Sequence, residues 1–109
     1  MSELARTPEP PYYAVIFTSV RTDGDHGYGE MADEMVELAK TQPGFLGIES
    51  VREPNGFGIT VSYWETEDAI RLWKENARHQ IAQKLGREKW YEGFVTRVSK
   101  VERTYRFER

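Results

Sequence analysis

The alternation of apolar and polar residues along the chain predicts six elements of secondary structure. Runs rich in aromatic and β-branched residues predict strands over 12–20, 45–52, 57–65 and 90–107. Apolar residues at spacings of three and four predict helices over 28–42 and from 66 to about 85. The resulting order along the chain is β-α-β-β-α-β.

Turn residues separate these elements. Pro43 and Gly44 end the first helix, because a residue before proline disfavours helical geometry. The Pro-Asn-Gly run within 53–56 is a hairpin signal, so the second and third strands are expected to be antiparallel neighbours. Thr66 has the character of an N-cap for the second helix, and Gly86 is a plausible stop.

The first residues of the chain differ from the rest. Residues 1–11 are polar and contain Pro8, Pro10 and Pro11, which cannot join a helix interior or a central strand. We expect residues 1–11 to be a flexible N-terminal arm and residues 12–109 to form a single domain, since 109 residues fit one domain.

The element order is that of a ferredoxin-like α+β fold, a split β-α-β-β-α-β sandwich with a four-stranded antiparallel sheet. Helices in such folds pack on one face of the sheet. The predicted strands are nevertheless apolar on both faces; the last one places Tyr91, Gly93 and Val95 on one face and Phe94 and Val98 on the other. A whole apolar sheet face marks an interaction surface. We therefore expect a homodimer through the sheet faces.

Composition and charge exclude several classes of function. The formal net charge is −3 and the Lys and Arg residues are dispersed, so no nucleic-acid partner is expected. The absence of cysteine excludes disulfides, thiolate catalysis and zinc sites of Cys type. No apolar run has the length of a signal peptide or membrane span, so no membrane partner and a cytoplasmic location are expected. His26 and His79 are far apart in sequence, and no metal site is predicted.

The second helix carries the candidate chemistry. If it continues past His79, then His79, Gln83, Gly86 and Trp90 share one stripe of it. An imidazole beside an indole, with a glycine that clears space, suits a flat aromatic ligand. The alternative for His79 is a partly exposed helix histidine that bonds to Gln83 or to a loop carbonyl.

The run at 62–73, Ser-Tyr-Trp-Glu-Thr-Glu-Asp-Ala-Ile-Arg-Leu-Trp, resembles the antibiotic biosynthesis monooxygenase domain family. Further matches are Pro-Gly-Phe-Leu-Gly at 43–47 and the pair Arg103 and Tyr105, so the resemblance covers about residues 12–107. It implies a dimeric ferredoxin-like fold, the dimeric α/β barrel. The family includes cofactor-independent oxygenases of aromatic polyketides, quinol oxygenases, haem-degrading enzymes and members of unknown role.

The resemblance also implies a site between sheet and helices. From its place on the second helix, His79 is expected to be the catalytic residue, a general base or hydrogen-bond partner of the substrate oxygen. The residues proposed to bind substrate are Trp73, Gln83, Arg87, Trp90, Tyr13, Phe17 and Tyr63. Most have a plainer alternative, which is core packing for the aromatic residues and a solvated helix end for Arg87.

Three functions remain open from the sequence. The first is a cofactor-independent monooxygenase that acts on a small aromatic molecule such as a phenol, a quinol or a polyketide, with no cofactor and no metal. The second is a haem-binding or haem-degrading protein with His79 as axial ligand, although Gln83 holds the place of the histidine in the haem-degrading members. The third is a non-catalytic dimeric module that binds a small molecule or has a stress-related role.

Overall fold

Six elements of regular structure follow one another in the predicted order within residues 3–83 and 89–109. These are the residues that the computed structural model describes, the side chains of 79–83 excepted. The elements are β1 (Tyr12–Arg21), α1 (Tyr28–Lys40), β2 (Phe45–Arg52), β3 (Phe57–Trp64), α2 (Glu67–Gln83) and β4 (Tyr91–Val101). None of the helices in this part of the chain is long and apolar enough to cross a membrane.

The four strands form one antiparallel sheet with the order β2-β3-β1-β4. The predicted hairpin joins β2 and β3: Glu53 N donates to Phe57 O (2.8 Å), and Gly56 N donates to Glu53 O (2.9 Å). Gly56 has a φ of 97°, a conformation that glycine adopts without strain. The α+β ferredoxin-like fold expected from the sequence is confirmed.

Side chains at the N-termini fix where the helices begin. The Asp25 carboxylate accepts hydrogen bonds from the backbone of Gly27 (3.0 Å) and Gly29 (3.1 Å) at the start of α1. Thr66 Oγ1 accepts the backbone N–H of Ala69 (3.0 Å), which confirms Thr66 as the N-cap of α2. Both side chains satisfy N–H groups that the first turn of a helix leaves without partners.

The last strand is shorter than the sequence predicts. β4 ends at Val101 instead of residue 107, because Val101 pairs with Tyr12, the first residue of β1. Pro10 and Pro11 precede Tyr12 and have no backbone N–H to donate. The residues after Val101 therefore find no further hydrogen-bond partners next to β1. The helix α1 likewise ends two residues early, at Lys40, where Thr41 Oγ1 donates to Leu38 O (2.7 Å).

Both helices pack on one side of the sheet, which we call the helix face; we call the other side the open face. Residues from both helices, Ala39 of α1 and Ala69 and Ile70 of α2, form one buried cluster with Trp64 of β3. The strand register places alternate residues of β1 on the two faces. The helix face takes Tyr13, Val15, Phe17 and Ser19, and the open face takes Tyr12, Ala14, Ile16, Thr18 and Val20.

The core is centred on the indole of Trp64, which is fully buried. Trp73 of α2 stacks on it, with ring centroids 5.8 Å apart and an interplanar angle of 24°, and Phe45 meets it edge-on at 5.4 Å. The indole N–H donates to Ser62 Oγ (2.9 Å), so the one polar atom of the buried ring is satisfied.

We predict that Ser62→Ala lowers the free energy of unfolding by about 1–3 kcal/mol, because it leaves the buried Trp64 N–H without an acceptor. Urea denaturation followed by circular dichroism measures the change. In a Trp64→Phe background the same substitution removes no hydrogen bond and is expected to cost less. An equal cost in both backgrounds would show that Ser62 stabilises the fold in some other way. Ser99→Ala, on an exposed strand residue, is the control.

Candidate functional site

The described helices cover the half of the sheet formed by β2 and β3 and leave the helix face of β4 accessible. The helix α1 packs on β2 and α2 packs on β3. Val98 of β4 is on the helix face, because it pairs with Val15, and its side chain is 51% exposed. Val15 and Trp73 of α2 both pack against the core cluster. The helix face therefore presents a mostly apolar strip between α2 and the edge strand β4, which we call the helix-side trough. Its residues are Tyr13, Val15, Phe17, Thr96 and Val98 of the sheet, with Trp73 of α2 beside it in the core.

A cluster of aromatic rings closes one end of the trough. Phe17 contacts Tyr91 (centroids 5.6 Å apart) and Phe94 (5.3 Å), and Tyr91 meets Tyr28 of α1 edge-on at 5.8 Å. The register of β4 shifts where it pairs with Val20 and Arg21, which is a β-bulge. The bulge turns Tyr91 to the helix face, so the predicted placement of Tyr91 on one face with Gly93 and Val95 is wrong.

Two arginines add positive charge to this end. The Arg21 guanidinium lies 3.6 Å from the centre of the Tyr28 ring, and its Nε donates to Trp90 O (3.1 Å). Arg52 Nη2 donates to Ser19 Oγ (2.8 Å) and to the Tyr28 hydroxyl (3.3 Å). In the part of the chain that the structure describes, neither arginine has a carboxylate partner. The closed end of the trough is therefore cationic and rich in hydrogen-bond donors.

The absence of a side chain at Gly58 leaves space for the Arg52 guanidinium. A Cβ at Gly58 would lie 2.7 Å from the Arg52 guanidinium carbon and 3.0 Å from a backbone oxygen of β2. The bare backbone of β3 thus lets the guanidinium lie against the sheet and reach Ser19 and the Gly56 carbonyl.

Tyr91 is held as a neutral phenol. Burial raises the pKa of Tyr91 above its usual range, and the neighbouring Tyr28 raises this pKa further by charge interaction and by a hydrogen bond; Arg52 and Arg21 act weakly in the opposite direction. The Tyr91 hydroxyl therefore keeps its proton into the alkaline range.

The structure brings together three of the predicted substrate-binding residues. Tyr13, Phe17 and Trp73 all lie on the helix face, in the trough or beside it. Tyr13 and Trp73 also pack against the core cluster, so the site and the core share these side chains.

Trp90 has a different environment. Its side chain is 2% exposed, and its indole N–H donates to His26 O (2.9 Å) in the loop before α1. Its carbonyl accepts from Thr22 N (2.9 Å), so Trp90 ties this loop to the start of β4. It borders a cavity of about 190 Å³ that Met31 also lines, and not the trough.

Tyr63 is separated from the trough by the sheet. It pairs with Ala14 and so projects from the open face, where its hydroxyl donates to Glu49 Oε1 (2.6 Å). Burial, and then Glu49, raise the pKa of Tyr63. Tyr63 and Phe17 therefore do not line one cavity within a single chain.

The remaining predicted residues lie beyond what the structure describes. His79 and Gln83 belong to α2, but their side chains are outside the described residues, as is the whole of Arg87. Their roles stay predictions.

Sequence reasoning missed the polar end of the trough. Arg21, Arg52, Tyr28 and Tyr91 come from four different elements, and no local motif joins them. One signal was present in the sequence. A glycine inside a strand, here Gly93, is typical of a β-bulge, and a bulge before Gly93 turns the Tyr91 side chain to the other face of the sheet.

Residues 11–85 match the family model described as antibiotic biosynthesis monooxygenase. The chain belongs to this family. It is also 57% identical over 108 residues to the uncharacterized protein YqjZ of Bacillus subtilis (strain 168), with 99% of this chain and 95% of YqjZ covered.

Solved structures share the fold. PA3566 from Pseudomonas aeruginosa is 13% identical, with a TM-score of 0.66 over 90% of this chain and 99% of that one. SnoaB, a cofactor-independent oxygenase from Streptomyces nogalater, is 14% identical, with a TM-score of 0.63 over 91% of this chain and 97% of that one. At these identities the likeness shows a shared fold only.

We predict that the free energy of unfolding falls as the pH rises above about 10, because the unfolded chain then releases phenolic protons that Tyr91 and Tyr63 retain in the fold. Tyr91→Phe and Tyr63→Phe should each reduce this fall. Urea denaturation from about pH 8 to 11 measures it. Tyr105→Phe, at a residue that is 89% exposed in the single chain, is the matched control at concentrations where the chain is monomeric, and an equal effect at Tyr105 there would contradict the prediction.

Proposed function

We propose that the chain is a cofactor-independent oxygenase that binds a small phenol or quinol in the helix-side trough. The observation that carries the proposal is the combination of an apolar floor with an end at which Tyr91, Arg21 and Arg52 gather. An apolar pocket with a few convergent polar groups suits an aromatic ring that carries oxygen substituents. Membership of the antibiotic biosynthesis monooxygenase family supports the same reaction class.

Each part of the trough has a role in this proposal. The substrate ring packs on Phe17 and Thr96, beside the closed end of the trough, and one of its oxygens points toward the Tyr91 hydroxyl. Negative charge that develops on that oxygen is stabilised by the neutral Tyr91 donor and by the two guanidinium groups. His79 lies six residues after Trp73, about 9 Å farther along α2, and acts as the general base.

The chemistry draws its electrons from the substrate. His79 removes the phenolic proton, and the electron-rich phenolate transfers an electron to O₂. Recombination of the phenoxyl radical with superoxide forms a ring C–O bond, and the resulting peroxide anion takes the proton back from His79 to give a ring hydroperoxide. Loss of water from this intermediate breaks the O–O bond and the ring C–H bond, so one oxygen atom remains in the quinone and the other leaves as water. The apolar floor of the trough covers one side of the intermediate and keeps water from that side.

We expect His79→Asn to lower the rate of oxygen uptake with an accepted phenol by about 10²- to 10⁴-fold, the usual contribution of a general base. An oxygen electrode measures the rate. His26→Asn is the matched control, because His26 is the other histidine of the chain, its side chain is exposed, and asparagine tolerates its φ of 50°. Equal rates in wild type and His79→Asn would exclude the general-base role.

Titration of the same proteins with haemin tests the alternative in which His79 ligates haem. A saturable shift of the haem absorbance band that is lost in His79→Asn and kept in His26→Asn would favour that alternative over the oxygenase.

We also infer that a second copy of the chain covers the open face. Val51, Phe57 and Val95 project from this face and are 67%, 43% and 48% exposed, respectively, on three different strands. Apolar side chains spread over three strands of one sheet face form a patch of the kind that marks an interface.

Val95→Glu is expected to dissociate this dimer, because it buries a charge in the interface. Sedimentation velocity over a range of concentrations measures the effect. Val98→Glu is a matched control: Val98 lies on the same strand and is equally exposed, but it faces the helices. A wild-type chain that is monomeric at all concentrations, or a dimer that Val98→Glu disrupts more than Val95→Glu does, would contradict the sheet-face arrangement.

A further inference from the structure

The N-terminal arm, predicted from the sequence to lie outside the fold, contacts the open face. The backbone N–H of Ala5 donates to Glu49 Oε2 (2.9 Å), and a Cβ at Gly47 would lie 3.0 Å from the Cβ of Ala5. Thr7 Oγ1 hydrogen-bonds the Tyr12 hydroxyl (2.9 Å). Gly47 and Glu49 are both in β2, so the arm lies against this edge of the sheet.

The C-terminal tail, residues 102–109, reaches the arm from the opposite edge. The tail begins after Val101 at the end of the edge strand β4, whereas the arm lies on the opposite edge strand, β2. Three strand spacings, about 14 Å, separate β4 from β2. Arg106 Nη2 donates to Ala5 O (2.8 Å). Arg6 makes two hydrogen bonds to the Glu108 carboxylate (2.8 and 2.9 Å), which also accepts from Arg106 (3.0 Å). We call these four residues, Ala5, Arg6, Arg106 and Glu108, the terminal clasp.

The clasp holds two large aromatic side chains in solvent. Tyr105 is 89% exposed and Phe107 is 76% exposed. They alternate with Arg106 and Glu108, whose side chains turn to the arm, and successive side chains of an extended chain point in opposite directions. The clasp therefore presents both rings on the outer side of the tail.

The area of the open face suggests why these rings are needed. Tyr12 and Ala14 are already buried at the clasped end of the face, which leaves about half of the sheet for a partner. That half measures roughly 19 Å by 15 Å, or about 300 Å², by strand spacing and rise. A stable interface buries about 800 Å² on each partner. Two aromatic side chains that bury about 150–200 Å² each supply much of the difference.

We propose that Tyr105 and Phe107 pack against the second copy of the chain and extend the interface of the sheet-face dimer. The inference rests on the dimer put forward under Proposed function. A second copy is the occupant because the clasp joins the tail to the arm, and the arm lies on the open face next to its uncovered part. A two-fold axis over that side brings each tail against the other subunit. The clasp orders the tail before association and so lowers the entropic cost of binding.

The test compares three variants by sedimentation velocity. The double substitution Tyr105→Ser with Phe107→Ser is expected to raise the dimer dissociation constant at least tenfold. Glu108→Gln, which weakens the clasp and leaves the rings, is expected to raise it less. Leu72→Ser is the control, because Leu72 is a half-exposed apolar residue on α2. An unchanged dissociation constant in the double variant overturns the proposal.

The variant Val95→Glu separates this inference from the dimer itself. If Val95→Glu dissociates the dimer and the double tail variant does not, the sheet-face dimer stands and the tail contact is wrong. If the wild-type chain is monomeric throughout, both are wrong. Circular dichroism of each variant verifies the fold, and the tail residues contribute little to it because they are exposed.

A second measurement uses the absence of native cysteine. An environment-sensitive fluorophore is attached to Phe107→Cys, and its emission is followed as the labelled chain is concentrated through the dimerisation range. A blue shift that tracks dimer formation is expected, since the probe enters an apolar contact. No shift while sedimentation records dimerisation overturns the proposal. The same probe on Leu72→Cys should not respond.

Discussion

The stacking of Trp73 on Trp64 is the contact on which the rest of the structure depends. The Trp64 ring is fully buried and is fixed by the Ser62 hydroxyl, so the indole that stacks on it fixes α2 over β3. Ala39 and Ala69 are small enough to let both helices reach the same ring. Because both helices pack around the Trp64 ring of β3, they do not cover the helix face of β4. The trough is therefore a consequence of where the core lies.

The polar end of the trough depends on loops more than on the core. The guanidinium of Arg21 bonds the Trp90 carbonyl and the carbonyls of Gly24 and Asp25, so one side chain holds both the loop before α1 and the start of β4. Tyr28 lies beside it as the first residue of α1. The groups proposed to hold a substrate oxygen are thus also the groups that order this end of the molecule, and the two roles require the same geometry.

The fold class was predicted correctly from the order of the elements, and the details that were predicted correctly were local. The bounds of β2, the hairpin after it and the Thr66 cap follow from residues that are neighbours in the chain. What the sequence did not predict depends on pairing between distant segments. The end of β4 is set by the prolines before β1, and the face of Tyr91 is set by a bulge. Tyr63 and Phe17 each fit an apolar strand, but only the register between β1 and β3 places them on opposite faces.

The strand β4 connects the two surfaces that the proposals use. Val95 and Arg97 project from the open face, whereas Thr96 and Val98 line the trough, so residues for the partner and for the ligand alternate along one segment. Within the described chain, β4 is an edge strand that pairs only with β1. An edge strand with exposed side chains on both faces has few contacts that limit its twist. A second copy on the open face would add such contacts, and the wall of the trough would then be held by the partner as well as by the chain itself.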